Sequence, residues 1–219
     1  MIFLYNIIFS GYFHIKVNKM KIAIDLNDVL RAYTRNFAKI FKREYDHTFD
    51  ETTIEITTNN LEEIFPFESK VEYNRFVYQD YPFELFGSCD TISKDVSPCF
   101  TQWLTKLRDI DTEETIDIMI VSTMEYGLSI QSSYFFLSKL GCKVREVYFP
   151  SDSLTIWDKC DILITANPKL IDNKPEGKKV IKISTDYNKD NKSDDTFEVI
   201  TDYFNDINNV IKYLDKDGE

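Results

Sequence analysis

Three apolar runs each stop abruptly at a short polar loop, and this repeated pattern constrains the fold more than any other feature. Lys21 to Ile24 runs into Asp25-Leu26-Asn27-Asp28, Ile116 to Val121 into Ser122-Thr123-Met124, and Asp161 to Ile164 into Thr165-Ala166-Asn167-Pro168. Short, continuous apolar runs of this kind read as strands covered on both faces, which is the habit of parallel sheets. Helical periodicity fills the gaps. Leu30, Tyr33, Phe37, Ile40 and Phe41 recur at three- and four-residue spacing, with Arg31, Arg35, Lys39, Lys42 and Arg43 opposite them. That spacing predicts an amphipathic helix with a solvated basic face. Phe100 to Leu107 and Ile130 to Leu140 read as further helices, the second stopped by Gly141, a left-handed C-terminal cap. Val144 to Phe149 reads as a strand, Ser153 to Lys159 as a short helix, and Val180 to Ile183 as the last strand. A polar loop over Asp186 to Asp195 and a closing helix over Ile200 to Leu214 complete the pattern. Strands alternating with helices predict a doubly wound α/β fold whose ligands lie beyond the carboxyl ends of a parallel sheet.

The periodicity breaks between about Asp46 and Pro98 into short aromatic and acidic segments punctuated by proline. This predicts a small cap subdomain, 46–98, inserted after the first helix, with the aromatics from Phe65 to Phe86 as a miniature core. The α/β core then comprises 20–45 and 99–219, and 1–19 is either an N-terminal extension or an over-called start ahead of Met20. With 43% hydrophobic and 15% aromatic residues, the chain has the composition of a folded globule. Its net charge of −11 repels a phosphate backbone, so no nucleic acid polymer is expected as partner. A small phosphorylated metabolite stays compatible, because a few local donors outweigh a distant net charge. Cys89, Cys99, Cys142 and Cys160 lack paired spacing, and only His14 and His47 could join them. They read as free thiols of a reducing cytoplasm rather than a zinc site. The apolar opening from Met1 to Phe13 is shorter than the roughly 20 residues of a bilayer span, so no membrane association is expected.

The strand-end loops also carry a resemblance. Ile22-Ala23-Ile24-Asp25-Leu26-Asn27-Asp28-Val29-Leu30, Ile118-Met119-Ile120-Val121-Ser122-Thr123 and Cys160-Asp161-Ile162-Leu163-Ile164-Thr165-Ala166-Asn167-Pro168 resemble, in order, motifs of the haloacid dehalogenase-like superfamily of phosphohydrolases. The narrower likeness is to its 5'(3')-deoxyribonucleotidase-like branch, over about Met20 to Leu214. In such enzymes a carboxylate attacks phosphorus, a carboxylic acid two residues later protonates the leaving oxygen, and Mg²⁺ neutralises the phosphoryl charge. The resemblance places Asp25 at the nucleophile and metal position and Ser122 or Thr123 at the phosphate-binding hydroxyl. Asn27 stands where the acid/base aspartate belongs, and Thr165 and Ala166 where paired acidic residues hold Mg²⁺. Lys159 is the nearest candidate for the phosphate-binding lysine, and Asp172 and Asp28 are candidate replacement metal ligands.

An amide has no proton to give near neutral pH, so general acid catalysis, typically worth about 10² to 10⁴ in rate, is expected to be missing. The leading expectation is a degenerate phosphohydrolase-fold protein kept for binding or regulation, with no cofactor. The rival is an active Mg²⁺-dependent phosphatase of a nucleoside monophosphate or similar ester, working through Asp25. Each residue also has a plainer role: an aspartate after a strand commonly accepts backbone N–H bonds, and Ser122 or Thr123 could cap the next helix.

Overall fold

The computed structural model describes residues 19–50, 54–94, 100–102, 104–105 and 116–192, together with the backbone of 196–199. Six strands form one sheet: β1 (Met20–Asp25), β2 (Ile116–Val121), β3 (Glu146–Tyr148), β4 (Ile162–Thr165), β5 (Lys179–Ile183) and β6 (Thr196–Val199). Their order is β3-β2-β1-β4-β5-β6, and every neighbouring pair is parallel. The fold is therefore doubly wound α/β, as the alternating pattern predicts. The chain steps outward from β1 to β3, returns to β4, and steps outward the other way, so the order reverses between β1 and β4. Ligand crevices of open α/β sheets form at such a reversal. Register brings the polar strand ends there: Ile24 is level with Ile164, and Asp25 with Val121. Asp25, Ser122 and Thr165 consequently end three adjacent strands.

The strand interiors are dry. Ile22, Ala23, Ile24, Ile120, Leu163, Ile164 and Ile181 have no exposed surface, which accounts for the unbroken apolar runs. Helix α3 (Leu128–Leu140) ends at Gly141 with φ +71°, the left-handed cap that the glycine predicts. Two expectations need correction. Val180 to Ile183 lies in β5 but is not the last strand, because Thr196–Val199 adds β6 at the edge; four residues beside an acidic loop are too few to display a period. Arg31 is not on a solvated helix face. Helix α1 (Tyr33–Glu44) starts two residues later, and the Leu26 carbonyl accepts the N–H groups of both Leu30 and Arg31 at 3.0 Å. This tight turn, with Asp28 at φ +54°, carries the Arg31 side chain inward to complete burial.

Between α1 and β2 the chain passes through α2 (Lys70–Arg75) and several short helical turns. Their aromatic residues pack on the apolar face of α1 as well as on one another. Phe65 stands 4.7 Å from Phe37 and 5.0 Å from Phe41 between ring centroids, and Phe76 is 5.4 Å from Phe37. Leu61, Tyr73, Leu85 and Phe86 join this cluster. Phe100, Thr101, Gln102, Leu104 and Thr105 are helical, as the periodicity predicts. The opening 1–18, Cys99 and the expected closing helix from Ile200 lie outside the described residues. Among the described residues, no helix is long and apolar enough to cross a membrane.

Candidate functional site

The strand ends at the reversal form a small crevice lined by Asp25, Asn27, Asp28, Thr123 and Asn167, together with Tyr33, Thr34, Asn59, Met124 and Tyr187. Its volume is about 20 Å³, close to the space of one water molecule. Asp25 is buried. One carboxylate oxygen accepts the Leu26 N–H at 2.8 Å, and the other accepts the Thr165 hydroxyl at 2.8 Å. Thr165 Oγ1 in turn accepts the Asn167 N–H at 3.0 Å. Burial pushes the Asp25 carboxyl up to about 7, more than the Thr165 hydrogen bond and the Arg31 charge hold it down, and the Glu125 charge adds to the rise. Near neutral pH the candidate nucleophile is therefore only partly ionised.

Asn27 is fixed at both ends of its amide. Arginine can only donate, so the Arg31 Nε–H, 2.7 Å away, sets Oδ1 toward it, and Nδ2 then donates to Ser122 Oγ at 3.3 Å. Ser122 is fully buried in this role. Arg31 itself is heavily engaged: besides Asn27 it donates to the Phe86 carbonyl at 2.9 Å, to Ser133 Oγ at 2.8 Å and to the Glu125 carboxylate. Both charged side chains are completely buried, and the guanidinium lies 5.0 Å from the Phe86 ring centre. The Arg31–Glu125 pair thus ties the first strand-end loop to the aromatic insertion, to the loop after β2 and to α3.

On the other side Asp28 is nearly buried, accepting from the Thr34 N–H at 3.0 Å, the Thr34 hydroxyl and the Tyr187 hydroxyl at 2.9 Å. Burial raises its carboxyl too, against these hydrogen bonds. Tyr187 sits on a turn after β5 that Lys182 secures. The Lys182 ammonium is buried and donates to the carbonyls of Asn188 and Asn191, each at 3.2 Å, and of Lys189.

The structure brings Asp25, Asn27, Asp28, Ser122, Thr123 and Thr165 together. Thr123 Oγ1 lies 3.5 Å from Asn167 Nδ2, and the helix-capping alternative for Ser122 and Thr123 fails, since Gly127 precedes α3. Ala166 is buried and offers only its carbonyl, which accepts from Asn188 at 2.8 Å. Lys159 is exposed at the amino end of β4, its ammonium 5.7 Å from the Tyr148 ring centre, so it does not stand among the strand-end residues. Asp172, at the end of α4 (Pro168–Asp172), is exposed and accepts from Asn191 at 2.7 Å, also away from the crevice. Arg31, Glu125, Tyr187 and Lys182 are absent from the residues that the strand-end motifs single out. The one signal for Arg31 was its place between Leu30 and Ala32, an apolar setting that a solvated arginine does not need.

Mg²⁺ needs hard oxygen ligands in near-octahedral array, usually including one or two free carboxylates. Here both crevice carboxylates already accept from protein donors, Asp25 from Leu26 and Thr165, Asp28 from Thr34 and Tyr187. Among the described residues, no group of three or more His, Cys, Asp or Glu stands close enough to hold a metal ion. This donor set does not fit Mg²⁺. Cys89, Cys142 and Cys160 are free, and burial pushes each thiol up, Cys160 to about 12, which leaves them poor nucleophiles. No protein-family model matches the chain, and no curated protein is significantly similar to it.

Proposed function

We propose that this protein is a haloacid dehalogenase-like, nucleotidase-like phosphohydrolase fold with a degenerate strand-end site, acting as a binding or regulatory protein toward a small phosphorylated metabolite. The observation that carries this reading is the double engagement of Asn27. It stands where a leaving-group acid is required, has no acidic proton, and is bonded to Arg31 on one side and Ser122 on the other. Two neighbours support it. Thr165, at the position of a metal-binding carboxylate, donates to Asp25, and the buried cation nearest the loop is already paired with Glu125. Phosphoryl transfer depends on positioned positive charge around the phosphate, and among the described residues none of those lining this crevice is a cation. The free thiols are in keeping with a reducing cytoplasm.

The test is phosphate release from a broad set of nucleoside monophosphates and sugar phosphates, with and without millimolar Mg²⁺. No release above that of an Asp25→Asn variant is expected. Magnesium-dependent release that vanishes in Asp25→Asn would overturn the reading in favour of an active phosphatase.

A further inference from the structure

A second cavity of about 480 Å³ adjoins the crevice, within the size range of small-molecule pockets. Its body is apolar, formed by Ala38 of α1 with Ile54, Ile56 and Ile92. Its cations are Arg35 and Lys39, one turn apart on α1. Like charges at this spacing repel, and the contacts that hold them are long and exposed: Arg35 to the Thr91 carbonyl at 3.4 Å, Lys39 to Asp90 at 3.5 Å. Among the described lining residues, the exposed acidic group is Asp186, which is paired with Lys189 at 3.0 Å, while Asp90 stands beside Lys39. Asp28 and Tyr187 line both cavities, so their 2.9 Å hydrogen bond is the partition between this pocket and the crevice below Asp25.

We infer that this pocket is the ligand site of the protein, and that it takes a small amphipathic anion whose apolar body lies on Ile54, Ile56, Ile92 and Ala38 and whose phosphate or carboxylate head is held by Arg35 and Lys39. The inference rests on the binding function proposed above and moves the ligand off the strand ends. The crevice holds little beyond one water, whereas the pocket, which shares Asp28 with it and also carries Asp186, supplies volume, apolar surface and two cations. The anionic head satisfies both cations at once and relieves their mutual repulsion. The hydroxyl of Tyr187, tied to Asp28, keeps the bound molecule away from Asp25.

The experiment is titration calorimetry of the full chain with 1-naphthyl phosphate, which joins an apolar bicyclic body to a phosphate and reports any turnover as fluorescent 1-naphthol. One saturable site is expected. Loss of a charge-assisted contact costs about tenfold or more in affinity, so Arg35→Ala should weaken binding by that factor and Arg35→Ala with Lys39→Ala by more. Both side chains are exposed, and thermal melting of these variants should match the wild type. 1-Naphthol should bind at least about tenfold more weakly than its ester, because it lacks the anionic head. Titration with 1-naphthoate separates the sources: binding that needs the same two cations assigns carboxylates as well, and failure to bind assigns phosphate esters alone. Ala38→Phe, which fills the pocket from α1, should abolish binding of all three. Unchanged affinity in the double variant, equal binding of 1-naphthol, or no saturable binding would overturn the assignment. Asp25-dependent release of 1-naphthol would instead overturn the non-turnover reading, and leave the pocket standing if binding still requires Arg35 and Lys39.

Discussion

The two sides of the first strand-end loop handle buried charge in opposite ways. Toward the aromatic insertion, Arg31 and Glu125 are both fully buried and compensate each other, with Asn27, Ser133 and the Phe86 carbonyl completing their hydrogen bonds. Toward β4 and β5, Asp25 and Asp28 are buried with only hydroxyl and amide donors, and both carboxyls are raised. The chain commits its nearest buried cation to holding the architecture together, and the carboxylate at the nucleophile position is left without one. A phosphoryl-transfer centre requires the reverse allocation, with positive charge facing the ligand.

The largest effect should come from breaking the compensated side. Arg31→Ala or Glu125→Ala leaves one buried charge without its partner, at a cost of about 3 to 5 kcal/mol in unfolding free energy. Urea unfolding of the two single variants and of Arg31→Ala combined with Glu125→Ala should show the double variant losing clearly less than the sum of the singles. Additive losses would mean that the pair is not coupled and that the comparison is wrong. On the uncompensated side, Thr165→Val keeps the side-chain shape but removes the hydroxyl on Asp25. It should cost about 1 to 3 kcal/mol and raise the Asp25 carboxyl further, as read by unfolding and by carboxyl titration.

A smaller and more gradual effect is the pH dependence of stability. A carboxyl raised from 3.8 to about 7 binds its proton more tightly in the folded state. Its stabilising contribution is fully present below the unfolded value and is lost as pH rises through the folded value, by at most about 1.4 kcal/mol per pH unit. Asp28, shifted the same way, adds to this slope. Unfolding measured from pH 4 to pH 8 should show the decline flattened in Asp25→Asn. A slope identical to that of the wild type would place the titration elsewhere.

How far the sequence discloses all this depends on whether a feature is periodic or assembled. β2 was legible residue for residue, because a covered parallel strand requires an unbroken apolar run, and Gly141 marked the end of α3 because the cap needs its positive φ. Asp25, Asn27, Ser122 and Thr165 were legible as strand ends, since register alone makes them neighbours. Arg31 eludes the pattern because helical spacing from Leu30 continues smoothly through Tyr33, and only the turn at Leu26 to Arg31 breaks it. Tyr187 and Lys182 could not be found by pattern. The first lies in a polar loop, and the second is a lysine inside a strand whose carbonyl partners at Asn188, Lys189 and Asn191 exist only once the following turn has formed. Lys159 is the lysine nearest the last motif and Asp172 the acid that a shifted register of that motif supplies, and nearness in the chain says little about which end of a strand a side chain occupies.

The most direct measurement of the central claim, a closed and uncompensated carboxyl at the nucleophile position, is the carbon-13 NMR titration of the Asp25 carboxyl in the intact protein, with and without millimolar Mg²⁺. A midpoint near 7 that the metal does not move is expected. A midpoint at or below 3.8, or one driven down by Mg²⁺, would show an open, cation-binding carboxylate and contradict that claim.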